Sequence, residues 1–189
     1  MKQDKYTISI FSTTFIYNSS PIKGRKIDRI DNLFRGIFFK TLINALNQLS
    51  KQQSFQVLLK IHPNESKKII NSKMSSADFE YKINSDNLEH TIEKSNLIIS
   101  AYSSVCIQCF LSGKPVLIYD APISNSDTFI NNIDDKIKFS NSNELFDMIS
   151  EISNYKKMER TYLEYSNNEK NKYFSNQRIN QLKDFILDT

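Results

Sequence analysis

Phe55-Gln56-Val57-Leu58-Leu59-Lys60-Ile61-His62-Pro63 is the stretch on which the reading of the fold turns. Phe55 to Ile61 is a nearly continuous apolar run of strand length, which suits a parallel strand covered on both faces. The run stops at His62, and Pro63 disfavours helical geometry there. The imidazole is therefore expected at the carboxyl end of a strand, the edge at which parallel α/β sheets bind ligands. Strand alternation places Lys60 on the same side as His62, so its charge is available nearby. A donor imidazole beside an ammonium suits a phosphate, although a histidine that merely packs and hydrogen-bonds at a strand end fits these residues equally well.

Two more strands end in the same manner. Asn96-Leu97-Ile98-Ile99-Ser100-Ala101-Tyr102 runs into Ser103-Ser104, and a short apolar helix is expected from Val105 to Leu111. The serines then hold the N-cap and first-turn positions, where hydroxyls and free backbone N–H groups can cap the helix, meet an anion, or both. Tyr6 to Phe11 is an alternating, β-branched strand followed by Ser12-Thr13-Thr14, a third hydroxyl-rich edge.

Between these strands the periodicity is helical. After a long polar loop expected from Ser12 to about Asp31, the residues Phe34, Phe38, Leu42, Ala45, Leu46 and Leu49 recur at three- and four-residue spacing. Asn64 is a candidate cap for a short helix carrying Glu65, Lys67, Lys68, Ile69 and Ile70. A short strand is expected at Phe79 to Ile83, then a helix capped by Ser85-Asp86 and running to about Lys94, with Glu93 on its solvated face. Gly113 ends the Val105 helix, and Lys114-Pro115 opens the strand Val116 to Tyr119. Tyr119-Asp120 is a candidate for the cleft, with a turn role for Asp120 as the alternative. A loop follows to Asp135 with a helical turn near Phe129, then a short strand at Ile137 to Phe139 and a helix from Asn143 to Ile152. Tyr155 to about Leu187 reads as helical, in two pieces broken near Ser175. Alternating strands and helices imply right-handed βαβ units and a doubly wound, mostly parallel α/β sheet with a C-terminal helical tail. The expected division is a Rossmann-like nucleotide-binding domain over residues 1–154 and a helical extension over 155–189.

Composition narrows the partners. The 189 residues allow one good core, and a net charge of +4 is spread without a dense basic stripe, which speaks against nucleic-acid binding. No stretch nears the roughly 20 apolar residues of a membrane span. The first ten residues do not read as a signal peptide, so a cytoplasmic protein is expected, with peripheral attachment at the inner face of the membrane left open. Three glycines cannot build a P-loop or a dinucleotide fingerprint, which argues against a kinase or an NAD enzyme. Cys106 and Cys109 have C-x-x-C spacing, but two thiols cannot close a tetrahedral zinc site, and burial on an apolar helix face is the favoured reading.

Taken in order, Lys60-Ile61-His62-Pro63, the Asn96–Val105 segment with Ser103-Ser104, and Gly113-Lys114-Pro115-Val116 resemble the carboxyl-terminal domain of GT-B glycosyltransferases. The likeness is to bacterial sialyltransferases and polysialyltransferases with HP and SS motifs, and to the related CDP-glycerol glycerophosphotransferases. It covers Phe55 to Tyr119 well and the flanks loosely, including Tyr173 to Ile179. The resemblance implies a donor site for a CMP- or CDP-linked substrate, with His62 as the catalytic group stabilising the departing phosphate. Lys60, Pro63, Ser103 and Ser104 would shape or contact the donor, Thr13 and Thr14 would border it, and no metal cofactor would be needed. Gln108 stands where many GT-B domains carry a Glu that meets the donor's ribose or sugar; an amide still hydrogen-bonds a hydroxyl but carries no charge. By the same likeness, transfer to a glycan acceptor needs an acceptor domain bearing the general base, and this chain is expected to correspond to the second, donor-binding half. It would then act with an acceptor-domain chain or as a homo-oligomer in surface polysaccharide or lipooligosaccharide synthesis. A UDP-sugar-dependent relative and a non-catalytic nucleotide-binding partner subunit of a transferase remain the alternatives.

Overall fold

A computed structural model describes residues 5–12, 25–63, 65–101, 103, 105–120, 133–150 and 155–174. In chain order these form β1 (Tyr6–Phe11), α1 (Arg25–Ser50), β2 (Phe55–Lys60), α2 (Lys67–Lys73), β3 (Tyr81–Ile83), α3 (Leu88–Lys94), β4 (Leu97–Ser100), α4 (Val105–Leu111), β5 (Val116–Tyr119), β6 (Lys138–Phe139), α5 (Ser142–Ile149) and α6 (Tyr155–Phe174). The six strands make one sheet in the order β3-β2-β1-β4-β5-β6, and every pairing is parallel. Right-handed crossovers move outward from β1 through β2 to β3, then return to β4 and continue the other way. That reversal puts α1 and α2 on one face of the sheet and α3 and α4 on the other. Helix α5 packs on α1, and α6 packs on α4 and β5.

Burial explains which segments were legible as strands. All residues of β1, β4 and β5 are buried, as expected for strands sandwiched between helix layers. Strand β2 departs from that expectation. Phe55, Val57 and Leu59 are buried, whereas Gln56, Leu58 and Lys60 are half-exposed. Helix α3 reaches β1, and Gln56 instead donates a hydrogen bond to Thr7 Oγ1 at 2.6 Å on the more open side. The core is the α1 stripe of Phe38, Leu42, Ala45, Leu46 and Leu49 against the strands, with Phe38 5.3 Å from Tyr119 between ring centres. Tyr119 is thus a core residue and does not face a cleft; Asp120 donates its N–H to the Phe139 carbonyl.

Several boundaries differ from expectation for local reasons. Helix α1 begins at Arg25, inside the segment expected to be loop. At 26 residues it is about 39 Å long, against about 20 Å for six-residue β1. On this helix Leu33 and Ile37 are exposed, while Phe34 and Phe38 are buried. Ser66, not Asn64, precedes α2 at the N-cap, and Glu65 lies outside that helix. Asn87 caps α3, its side-chain oxygen accepting from His90 N–H, while Asp86 pairs with Lys94 at 3.0 Å. Strand β3 starts at Tyr81 because Phe79 turns into the core against Phe55, 6.0 Å between ring centres. Helix α5 starts after Asn141, whose side chain accepts from the Asn143 and Glu144 N–H groups, and ends at Ile149. Gly113, at φ +64°, supplies the left-handed turn after α4. The expected helical turn near Phe129 and the break near Ser175 lie outside the described residues.

The C-terminal helix lies across the amino edge of the sheet. Glu159 Oε1 accepts from Asn96 Nδ2 at 3.0 Å, Ser166 Oγ from Val116 N–H at 3.2 Å, and Glu169 Oε1 from Asp134 N–H at 3.1 Å. Side chains of α6 thereby accept from donors at the starts of β4 and β5 and ahead of β6, of which the Val116 N–H is buried and needs a partner. The opposite, carboxyl edge is left to the loops. Among the described residues no helix is long and apolar enough to cross a membrane.

Candidate functional site

Strand order reverses between β1 and β4, and the crevice outside the carboxyl ends at such a point is where open α/β sheets take ligands. Register aligns the three strand ends concerned. Phe11 pairs with Lys60 on one side and with Ser100 on the other, so Lys60, Phe11 and Ser100 form one row. Ser12, His62 and Ser103 follow that row on β1, β2 and β4. Adjacent strands lie about 4.8 Å apart, so the β2 and β4 ends flank β1 at a separation of about 10 Å. Ser12, His62 and Ser103 thus all follow strand ends at this one edge of the sheet.

On the β4 side, Ser103 lies just ahead of α4. Its Oγ accepts from Val105 N–H at 3.3 Å, and its carbonyl accepts from Cys106 N–H at 3.0 Å. Gln108 is exposed on the same helix. Cys106 and Cys109 point inward and are fully buried; burial pushes both thiols above their ordinary range, Cys109 well above. Thr13, Thr14 and Ser104 lie outside the described residues.

On the β2 side, the ladder continues one step past the strands, with Ser12 N–H donating to the Lys60 carbonyl at 3.0 Å. Lys60 extends its ammonium to the Asp86 carbonyl ahead of α3. His62 is half-buried and Pro63 exposed. The His62 backbone N–H is shared between Ser12 Oγ at 3.1 Å and Glu65 Oε2 at 2.8 Å. Ser12 Oγ also donates to Glu65 Oε2, and Glu65 N–H returns a 2.9 Å bond to the His62 carbonyl. The second carboxylate oxygen of Glu65 lies 3.0 Å from Arg35 Nε of α1, in an ion pair whose side chains are 0% and 10% exposed.

Glu65 and Arg35 are the residues that sequence reasoning missed. Glu65 reads as an ordinary solvated member of a charged helix, and Arg35 as one of the polar residues of an amphipathic one. The signal that was present is the His62-x-x-Glu65 spacing, the same reciprocal three-residue closure that a capping box uses. Its consequence is geometric: the end of β1, the loop after β2 and α1 meet at a single buried carboxylate.

Comparison with known proteins bears on the fold and the family. Compared with curated proteins, the sequence has no match. Among solved structures, the catalytic domain of cholesterol-alpha-glucosyltransferase from Helicobacter pylori matches 88% of this chain and 99% of its own, at 18% identity and TM-score 0.50. The wall teichoic acid polymerase TagF, in a structure with CDPG, matches 88% of this chain at 17% identity and TM-score 0.54. Anabaena HepE in complex with UDP-glucose matches 98% at 14% identity and TM-score 0.59. This chain spans 36% of the TagF chain and 49% of the HepE chain. At these identities the likeness is one of fold, a Rossmann-like α/β sheet of the GT-B type. At the sequence level residues 28–186 match the CDP-Glycerol:Poly(glycerophosphate) glycerophosphotransferase family, and the chain belongs to that family.

Proposed function

We propose that this chain is the donor-nucleotide-binding half of a transferase that uses a CDP-linked donor, with CMP the nucleotide it retains after transfer. The observation that carries the reading is the aligned row Lys60, Phe11 and Ser100 at the β1/β4 switch point, beyond which Ser12, His62 and Ser103 follow within three residues on their own chains. A nucleotide's phosphates fit this edge, because they need donors from more than one side and the crevice offers an imidazole opposite hydroxyls. As the bond to the transferred group breaks, negative charge grows on the departing nucleotide phosphate. The His62 imidazole donates to it there, and Ser103 and Ser104 donate to its other oxygens. Lys60 adds positive charge beside His62, Pro63 sets the loop, and Thr13 and Thr14 border the β1 side. Gln108 on α4 hydrogen-bonds the donor's hydroxyls without adding charge. In this scheme protein donors take the developing charge and no metal is required. The acceptor glycan and the general base come from a further domain or partner chain, with the reaction running in the cytoplasm for surface polysaccharide.

Family membership favours a CDP-linked donor over a sialic acid donor. Calorimetric titration of CDP, CMP, UDP and UMP, each with and without a divalent cation, tests the proposal. Saturable binding of the cytidine nucleotides, unchanged by the cation, is the expected outcome. Preference for UDP would replace the proposal with a UDP-sugar reading, and binding of none would remove it.

A further inference from the structure

We infer that Glu65 is a positioning residue for the donor edge, holding the His62 loop and the end of β1 in one geometry with Arg35 as its counter-charge. The inference rests on the donor-site reading for its nucleotide arm and on geometry alone for the rest. A carboxylate with no exposure is costly unless it is paired and hydrogen-bonded. Here it is both: it accepts from the His62 N–H and the Ser12 hydroxyl, and faces Arg35 Nε at 3.0 Å. Each of these partners belongs to a different element, namely the loop after β2, the end of β1, and α1. A helix-stabilising role does not account for this, because α2 starts only at Lys67 and has Ser66 at its N-cap.

The consequence falls on His62. Pro63 restricts the His62 backbone from one side, while the paired bonds from His62 N–H to Glu65 and from Glu65 N–H to the His62 carbonyl close it from the other. A backbone held at both ends leaves the imidazole only its own rotamers. It therefore meets a ligand without first ordering the loop, an ordering cost that would otherwise weaken binding. Ser12 is fixed by the same carboxylate. Glu65 touches no reacting atom in this account; it acts through His62 and Ser12.

The test separates positioning from simple stabilisation. Arg35→Met together with Glu65→Met removes both buried charges and keeps side-chain volume, so thermal unfolding stays close to native if the pair matters only as an ion pair. Positioning predicts that this double variant, while folded, binds CDP at least about tenfold more weakly than the native chain. It also predicts that the His62 amide exchanges with solvent at least about tenfold faster, while amides of β4 and β5 are unaffected. Native affinity and native His62 protection in the folded double variant would overturn the inference. Should that variant not fold, the native chain decides: its His62 amide, outside every strand ladder, must be protected, and free exchange there overturns the clamp. If native protein binds no nucleotide yet the amide results hold, the donor reading fails and the positioning role stands.

Discussion

The buried pair makes a sharp prediction about stability. Arg35→Met leaves the Glu65 carboxylate without its counter-charge in a place with no solvent exposure. Removing one partner of a buried pair costs about 3–5 kcal/mol in general. Glu65 keeps its bonds from His62 N–H and Ser12, so the lower end, about 3 kcal/mol, applies here. For a chain of this size that corresponds to a fall in Tm of about 6–12 °C. Glu65→Met should cost more, about 4 kcal/mol, because it strands the Arg35 charge and also strips acceptors from His62 and Ser12. The two losses share one interaction, so the double variant should fall short of their sum by about 2 kcal/mol or more. Urea unfolding followed by circular dichroism measures all four corners, with an unchanged slope confirming a common unfolded state. A single Arg35→Met variant within about 1 kcal/mol of native, or strict additivity, would refute the account of the pair.

Other outcomes follow from the same structure. Ser166→Ala leaves the buried Val116 N–H without the oxygen 3.2 Å away, and should cost about 1–3 kcal/mol in urea unfolding while nucleotide binding is unchanged. A loss of binding there would mean that α6 reaches beyond the amino edge. Burial raises the Cys106 and Cys109 thiols above the ordinary value of 9.0, so both stay protonated in the folded chain at neutral pH. Thiol reagents should label them only as fast as the protein opens, and rapid stoichiometric labelling of native protein contradicts the packing. A raised folded value means that the folded state holds its protons more tightly. This contribution to stability is fully present below pH 9 and declines as pH rises past the unfolded thiols' titration, a decline that Cys106→Ala with Cys109→Ala should lessen in unfolding measured at rising pH.

How far the sequence could be read depended on whether each property is local. Leu97 to Ser100 and Val116 to Tyr119 are covered on both faces, so continuous apolarity identified them as central strands. Phe55 to Lys60 is covered on one face only, and Gln56 and Lys60, which alternate with the buried Phe55, Val57 and Leu59, are the local trace of that open face inside a run that otherwise reads as continuously apolar. The first turns of α1 were hidden for another reason: Ile27 and Ile30 continue the Phe34 spacing, but they stand among charged residues after Pro21 and Gly24, in a stretch that reads as polar loop. Strand order was not legible at all, since hydrophobic patterns name strands without naming neighbours. In the site, His62 and Ser103 were legible because a polar residue interrupting the end of an apolar strand is conspicuous. Glu65 was not, because a buried carboxylate differs from a solvated one only through its partner, and Arg35 belongs to another helix.

The central claim is that the β1/β4 edge, with His62 beside it, holds the phosphates of a cytidine nucleotide donor. Calorimetric titration of CDP into the native chain and into His62→Ala tests it most directly. The account predicts saturable one-to-one binding by the native chain and at least about a tenfold loss in His62→Ala, as expected for removal of a charge-assisted hydrogen bond. Equal affinity in the two proteins, or no binding of CDP by the native chain, would contradict it.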